Sequence, residues 1–464
     1  MEAKLDLLDP GIKPARVIWY LAWPTIIEQL LLTFVHYVDT SMVGVLGENA
    51  TASIAVSSST MWLVNGLFGS LAVGYYVLVG RNIGAGDIDK AKRIVRQSVL
   101  AASAAGVLFT LIMQFISPVL PVWLGAEETI RQDASAYLSI VSSAYFFSMA
   151  VVMSAGILRV AGDTRTPLFF NVLTNILNIL LNFLLIYQTR EITVLGYTFT
   201  VWGAGLGVRG AAAATAAAIV VSGSLLLSRL FKKDYPIRIS LRDDYKPDLS
   251  ITKSALRLAA PAAMERITIS SGQILMTALI TNLGTTALAA NYLAVTAEGI
   301  SYLPAYGFNV AATTLVAQSL GAGNKESALR FARLCLIIGV AMMSFTGIIM
   351  YIEAEFLISV FTPVAAVILL GSRVLRVEAF AQPFFAASII GGGVLRGAGD
   401  TKWPFYISIA GMWGVRILTA YVLAYPLGLG LMGAWIGMVA DLFTRGMLTF
   451  LRFRSKKWLD ISVQ

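Results

Sequence analysis

The chain has 464 residues but only one cysteine, Cys335, and one histidine, His36. So few sulfur and imidazole donors exclude a disulfide scaffold and a Cys/His metal centre. Charged residues make up only 13%, against about 25% in ordinary soluble proteins. There is no G-x-x-x-x-G-K-[ST] loop, so direct ATP drive on this chain is not expected, and there is no H-E-x-x-H pair. No nucleophile–base constellation stands out, so no enzyme is expected. What the chain has instead is apolar residues, at 57%, with a mean hydropathy of +0.75. That content excludes disorder, and it is too apolar for polar groups to cover the surface in water. An integral membrane protein is what remains.

Apolar segments of spanning length, about 20 residues or more, recur twelve times: near 17–43, 52–79, 93–116, 134–157, 166–187, 209–231, 254–281, 290–316, 330–352, 370–392, 404–425 and 432–452. The first continues at full length from Val17, so no cleavable leader is expected. The formal charge is +9, and alternate connections hold the basic residues. These are Arg81, Lys90, Lys92, Arg93 and Arg96, then Arg159 and Arg165, Lys232 and Lys233, Lys325, Arg330 and Arg333, and Arg396 and Lys402. Lys4, Lys13 and Arg16 precede the first segment, and Arg452, Arg454, Lys456 and Lys457 follow the last. Gly44–Thr51, Asn282–Ala289 and Tyr425–Met432 carry neither Lys nor Arg. The positive-inside rule then places both termini in the cytoplasm of a multi-pass inner (plasma) membrane protein, as an even number of spans requires. The basic surplus is read as meeting anionic lipid, not nucleic acid.

A shift of 237 residues overlays the chain on itself. Leu158-Arg159-Val160-Ala161-Gly162-Asp163-Thr164 falls on Leu395-Arg396-Gly397-Ala398-Gly399-Asp400-Thr401, and Pro167 on Pro404. Gly84-Ala85-Gly86 falls on Gly321-Ala322-Gly323, Pro24 on Pro261, Glu28 on Glu265 and Gly47 on Gly284. The register breaks after the fifth segment, where the first half has a longer outer loop, Gln188–Trp202, before Gly210-Ala211 aligns with Gly433-Ala434. The predicted fold is all-α: twelve transmembrane helices in two six-helix lobes related by a pseudo-two-fold axis along the membrane normal. The predicted lobes are 1–231 and 251–464, with 232–250 as cytoplasmic linker. The Gly-Asp-Thr loops read as structural, with glycine reversing the chain, Asp or Thr capping the next helix and proline opening it.

Asp39 lies about 22 residues into the first span, in the outer half of the bilayer. A carboxyl group there is a functional candidate that exchanges a proton. Asn178 and Asn182, four apart on one helix face, are its candidate partners. Thr215, in the small-residue run Gly210–Ala218, and Asn175 are further candidates. His36, one turn before Asp39, is a candidate relay. Pro24 breaks a backbone hydrogen bond in the same helix and is a candidate hinge. In the second half Glu298, Glu378, Arg416 and Asp441 lie within spans, and Arg416 is expected to pair with one of the acids. The Glu28 and Glu265 equivalents read as a shared structural feature. Asp39 has no twin, since Met276 stands at its repeat position. Met42, Met61, Trp62, Phe68, Met149, Met153, Met264 and Met276 are candidates for a soft substrate-binding surface.

Taken together, the chain resembles the multidrug and toxic compound extrusion (MATE) family, and within it the DinF branch, over nearly its whole length. The resemblance rests on the two lobes of six spans, on Val38-Asp39-Thr40-Ser41-Met42-Val43-Gly44 ending the first span, and on the paired Leu-Arg…Gly-Asp-Thr loops. It implies two six-helix bundles in a V and efflux of cationic or amphipathic compounds, driven by H⁺ or Na⁺. It also implies that the branch's first-helix aspartate is Asp39, that the cluster around it is Asn178, Asn182 and Thr215, and that the hinge proline is Pro24. Some archaeal relatives carry a second aspartate on the fifth helix, where this chain has Asn182. The NorM branch carries acidic ligands at positions that here fall near Ile269 and Phe385.

The resulting expectation is a proton-coupled multidrug antiporter, a monomer without a cofactor, in which protonation of Asp39 drives drug release. One alternative uses Na⁺ at the same Asp39. Another is a lipid-linked sugar flippase, which needs arginine or lysine around pyrophosphate. The first lobe supplies almost no such cations within its spans.

Overall fold

The computed structural model describes residues 7–9, 11–194, 197–232, 235 and 237–463, leaving aside the side chains of 192–194 and 197. Lys4 and Lys233 lie outside the described residues. The first lobe contains α1 (Pro14–Gly44), α2 (Glu48–Gly84), α3 (Ile88–Ile116), α4 (arms Glu128–Ser143 and Tyr145–Val160), α5 (Arg165–Leu185) and α6 (Gly207–Arg229). The second contains α7 (Leu249–Thr281), α8 (Thr285–Gly321), α9 (Lys325–Ile352), α10 (arms Ala365–Ala379 and Gln382–Gly397), α11 (Lys402–Ala424) and α12 (Gly430–Arg454). The loop after α5 is folded, as an antiparallel hairpin of β1 (Gln188–Val194) and β2 (Tyr197–Ala204).

The twelve segments become helices because each backbone group in lipid must be satisfied within its own segment. Eight are long and apolar enough to cross a membrane, and the two bent pairs bring the number to ten. The other two are α7 and α8, of 33 and 37 residues. They reach spanning length with lower hydropathy because they carry Arg266, Gln273, Asn291 and Glu298 on one side, toward an internal cavity.

The repeat seen in sequence is also a repeat of contacts. Arg159 Nη2 donates to both oxygens of Glu28 at 2.6 and 2.7 Å, and Arg396 Nη1 reaches Glu265 at 3.3 and 3.5 Å. The motif arginine therefore ties its loop back to the first helix of its own lobe. Gly162 and Gly399 both turn the chain at positive φ, 88° and 84°, a conformation that a Cβ disfavours. Asp163 then accepts from the Thr166 amide at 3.0 Å, capping α5. Asp400 instead pairs with Arg452, at 2.7 Å to Nη2. The arms of α4 bend by 50° and those of α10 by 59°, at equivalent positions. Only α10 has a proline there, Pro383. Packing common to both lobes therefore sets the bend.

Between helices the close contacts are made by small residues, as expected where lipid competes with apolar side chains. A Cβ at Gly210 of α6 would run into the backbone of Leu185 on α5. The lobes meet through α1 and α2 on one side and α7 and α8 on the other, and their hydrogen bonds cluster at the end carrying the basic loops. Gln318 donates to the Val160 carbonyl at 2.7 Å, and Arg81 to those of Ala398 and Ile461 at 2.7 and 3.2 Å. Gly84 and Gly321 cross backbone to backbone at the same end.

Candidate functional site

Asp39 sits near the far end of α1 from the basic loops. Asn182 Nδ2 donates to Asp39 Oδ1 at 2.7 Å and lies 3.2 Å from Asn178 Oδ1. Asn178 Nδ2 lies 3.4 Å from Thr215 Oγ1 on α6. With the Asn178 amide turned over, its nitrogen comes 2.9 Å from Asp39 Oδ1 and 3.2 Å from Oδ2. In that orientation Asn178, like Asn182, donates to the carboxyl group. Both asparagines are buried, and Asp39 is half-buried. Tyr137 completes the cluster from α4, with its hydroxyl toward Thr215 and within electrostatic reach of Asp39. All these partners are neutral.

Asp39, Asn178, Asn182 and Thr215 thus come together as the sequence suggests. Two other candidates stand apart. His36 is exposed, with the Tyr37 ring 6.5 Å away. Asn175 turns to Asn171, donating to its Oδ1 at 2.9 Å. Neither makes a hydrogen bond to the Asp39 cluster among the described residues. Tyr137 was missed, because a tyrosine early in an apolar span carries no distinguishing sequence signal.

Pro24 is buried in an α1 that stays helical through it. A proline at this position removes the hydrogen bond to the carbonyl four residues back, that of Tyr20. That carbonyl lies 3.5 Å from Thr164 Oγ1, in the Gly-Asp-Thr loop.

A cavity of about 890 Å³ lies where the lobes meet. It runs from the outer ends of α7 and α8 down to Tyr76, Arg159 and Arg396, and most of its wall belongs to the second lobe. This corrects the expected soft surface. Of the eight residues proposed for it, only Met276 lines the cavity. Phe68, Met149 and Met153 are buried in the first-lobe core, where Phe68 packs edge-on to Phe109 and Tyr145. Met42 and Met61 pack against that core. Trp62 and Met264 are 64% and 48% exposed, away from the cavity wall. Thioethers and rings are too common in apolar spans for type alone to separate core, lipid face and cavity.

The cavity is lined by Arg159, Arg266, Arg396, Arg416 and Arg445. A cation count confined to the first lobe therefore misjudges it. Asp441 accepts from Arg445 Nε and Nη2 at 2.7 and 2.8 Å and lies 3.6 Å from Arg416. The expected Arg416 pair exists, but Arg445 is the stronger partner, one helical turn from Asp441 on α12. Arg416 lies in the π-helical stretch of α11, Ile409–Ile417, a local widening often found at functional sites. Glu378 receives two bonds from Gln382, at 2.8 and 2.7 Å, and Glu298 lies beside Glu378.

Comparison with known proteins agrees with this architecture. The family model described as MatE matches twice, over residues 24–184 and 261–422, at the lag of the internal repeat. A "probable multidrug resistance protein NorM" of Thermotoga maritima is 32% identical over 94% of this chain and 92% of its own. The "uncharacterized transporter YisQ" of Bacillus subtilis is 26% identical over 95% and 94%. A solved structure described as an outward-facing conformation of a multidrug resistance MATE family transporter shares the fold, with a TM-score of 0.88, 23% identity and 98% of each chain covered. The fold is thus the expected two-lobe, twelve-helix one, and the chain is a multi-pass membrane transporter, not an enzyme, belonging to the MATE family.

Proposed function

We propose that this chain is a proton-coupled multidrug antiporter that exports amphipathic compounds by alternating access, with Asp39 as coupling site. The observation that carries the reading is the neutrality of the Asp39 cluster. A carboxylate bonded only to amides, with a hydroxyl and a phenol behind them, has no counter-charge, so an ion from solution must supply it. A proton on Asp39 changes what the Asn178 amide can bond to it. An ionised Asp39 takes the amide nitrogen, and a protonated one donates to the amide oxygen, so charge converts into a rotation of one side chain. On α1 the same change reaches Pro24, where the freed Tyr20 carbonyl lets the helix bend.

With the basic loops in the cytoplasm of the plasma membrane, the lobes are sealed on the cytoplasmic side and the cavity lies outside the seal. A proton from outside neutralises Asp39, the drug leaves outward, and the lobes rock inward to discharge the proton. One charge moved down 100 mV supplies about 2.3 kcal/mol. That sustains a concentration ratio of roughly 50 in a one-for-one exchange.

The test is efflux from proteoliposomes under an imposed pH gradient without sodium, for the protein and for Asp39→Asn. The gradient-driven accumulation ratio is expected to fall from roughly 50 toward 1 in the variant, the loss of the whole electrical drive. Export that requires a sodium gradient would replace the proton by Na⁺ in the same cage. Export that survives in Asp39→Asn would make the cluster structural.

A further inference from the structure

Five arginines line the cavity, and their partners are unequal. Arg159 has Glu28, Arg396 has Glu265, and Arg445 holds both oxygens of Asp441. Arg416 has the remainder of Asp441 at 3.6 Å, and its Nε has no partner among the described residues. Arg266 stands apart. No hydrogen bond or ion pair reaches it among the described residues, and its buried Nε is unsatisfied. The charges that Glu298 meets are those of Arg416 and Arg445, not Arg266. A guanidinium is always charged and carries five donors. Leaving it half-buried and unpaired is costly unless something from outside completes it.

Its position supplies the rest. Arg266 projects from α7 across the lobe boundary, and its side chain covers Gly66 of α2, where a Cβ would collide with it. Tyr306 lies within its electrostatic reach. Elsewhere the cavity wall presents Met276, Met412, Tyr302 and Trp435. We propose that this cavity binds an amphipathic organic anion, its carboxylate, sulfonate or phosphate head group on Arg266, and its apolar body on the aromatic wall. The inference rests on reading the cavity as the export route, and it names the substrate class. Because Arg266 bridges the lobes, the bound anion touches both and is released when they part.

The experiment is calorimetric titration of the full chain in phosphatidylcholine nanodiscs with 1-naphthalenesulfonate as anion and tetraphenylphosphonium as cation. In Arg266→Gln the anion should bind at least about tenfold more weakly, as for loss of a charged hydrogen bond, with cation affinity unchanged or raised. Arg266→Lys should keep anion binding within about threefold, because the point charge remains. A similar anion affinity in Arg266→Gln and the native chain would overturn the proposal. So would an equal loss for both probes. Adding phosphatidylglycerol to the discs separates two sources of the same chemistry. Competition that depends on Arg266 identifies a lipid phosphate as occupant, and its absence identifies a free anion. Asp39→Asn should keep naphthalenesulfonate binding while losing proton-driven export. Native anion affinity in Arg266→Gln alongside lost export in Asp39→Asn would remove this inference and keep the coupling reading. Export surviving in Asp39→Asn alongside weakened binding in Arg266→Gln would do the reverse.

Discussion

The two lobes share a frame and differ in what they bury. Each ties its motif arginine to the glutamate of its first helix, turns at the same glycine and bends its fourth helix at the same place. Within that frame the first lobe holds one carboxyl group ringed by neutral groups. The second ion-pairs Asp441 with Arg445 and Arg416, and sets Glu378 beside Glu298 and the neutral Gln382. A charge already paired inside the protein gains little from an ion in solution, whereas an unpaired one must be titrated or liganded. On the proposed reading, energy coupling falls to the unpaired Asp39 in the first lobe, and stability to the paired Asp441 and substrate selection to Arg266 in the second.

The sharpest way to break this division is to make the same substitution in both lobes. Asp441→Asn leaves Arg445 and Arg416 without their carboxylate, and breaking a buried pair costs about 3–5 kcal/mol. Its melting temperature in detergent should fall well below that of Asp39→Asn. Asp39→Asn replaces one neutral-ringed acceptor by an isostere and should stay within about 1 kcal/mol of the native chain. Equal losses would mean that Asp39 is as structural as Asp441.

A smaller effect tests the shared frame. Glu28 holds Arg159 at 2.6 Å and is more deeply buried than Glu265, whose arginine stands at 3.3 Å. Glu28→Gln should cost about 2 kcal/mol, in the range of charged hydrogen bonds. Glu265→Gln should cost about 1 kcal/mol or less, nearer the value of an exposed pair. Thermal unfolding of the two variants side by side checks the order. A larger loss at Glu265 would mean that the second-lobe network, not the motif pair, holds its loop.

Much of the frame was legible because it rests on patterns that survive in one dimension. Spanning length gives the helices, the 237-residue lag gives the lobes, and an acid in an apolar span gives Asp39. The hairpin was missed although Thr198-Phe199-Thr200-Val201 has the β-branched and aromatic composition of a strand. Its length between two spans reads as a loop. Arg445 was overlooked although it stands four residues after Asp441, the spacing of an intrahelical ion pair. The cavity was not legible at all. Its wall comes from α2, α4 and five second-lobe helices, and which face each turns inward depends on how the lobes meet. Arg266 illustrates this: in sequence it is one more basic residue beside Glu265, and only the approach of Gly66 shows that it crosses to the other lobe.

The smallest expected effect lies where the lobes begin. α1 opens on Pro14 with no side-chain cap at Lys13, whereas α7 opens on Asp248, whose carboxylate accepts from the Ser250 and Ile251 amides at 3.0 and 3.3 Å. Asp248 also receives Arg93 at 2.8 Å, and its amide donates to Gln97 Oε1 at 2.9 Å, both on α3. The hydrogen bond from the Ser250 hydroxyl, then the backbone amides and Arg93, hold its carboxyl below the usual carboxylate range against the opposing effect of desolvation. A depressed carboxyl stabilises the fold above its ordinary titration, and that contribution is lost as pH falls through the lowered value. Asp248→Ala should therefore cost about 1 kcal/mol at neutral pH, as for loss of an N-cap, while Lys13→Ala costs nothing measurable. Melting temperatures of the native chain and Asp248→Ala should converge as the pH falls below about 4, the ordinary aspartate range. A gap that stays constant into acid would mean that packing of the linker on α3, and not the charge of the cap, joins the second lobe to the first.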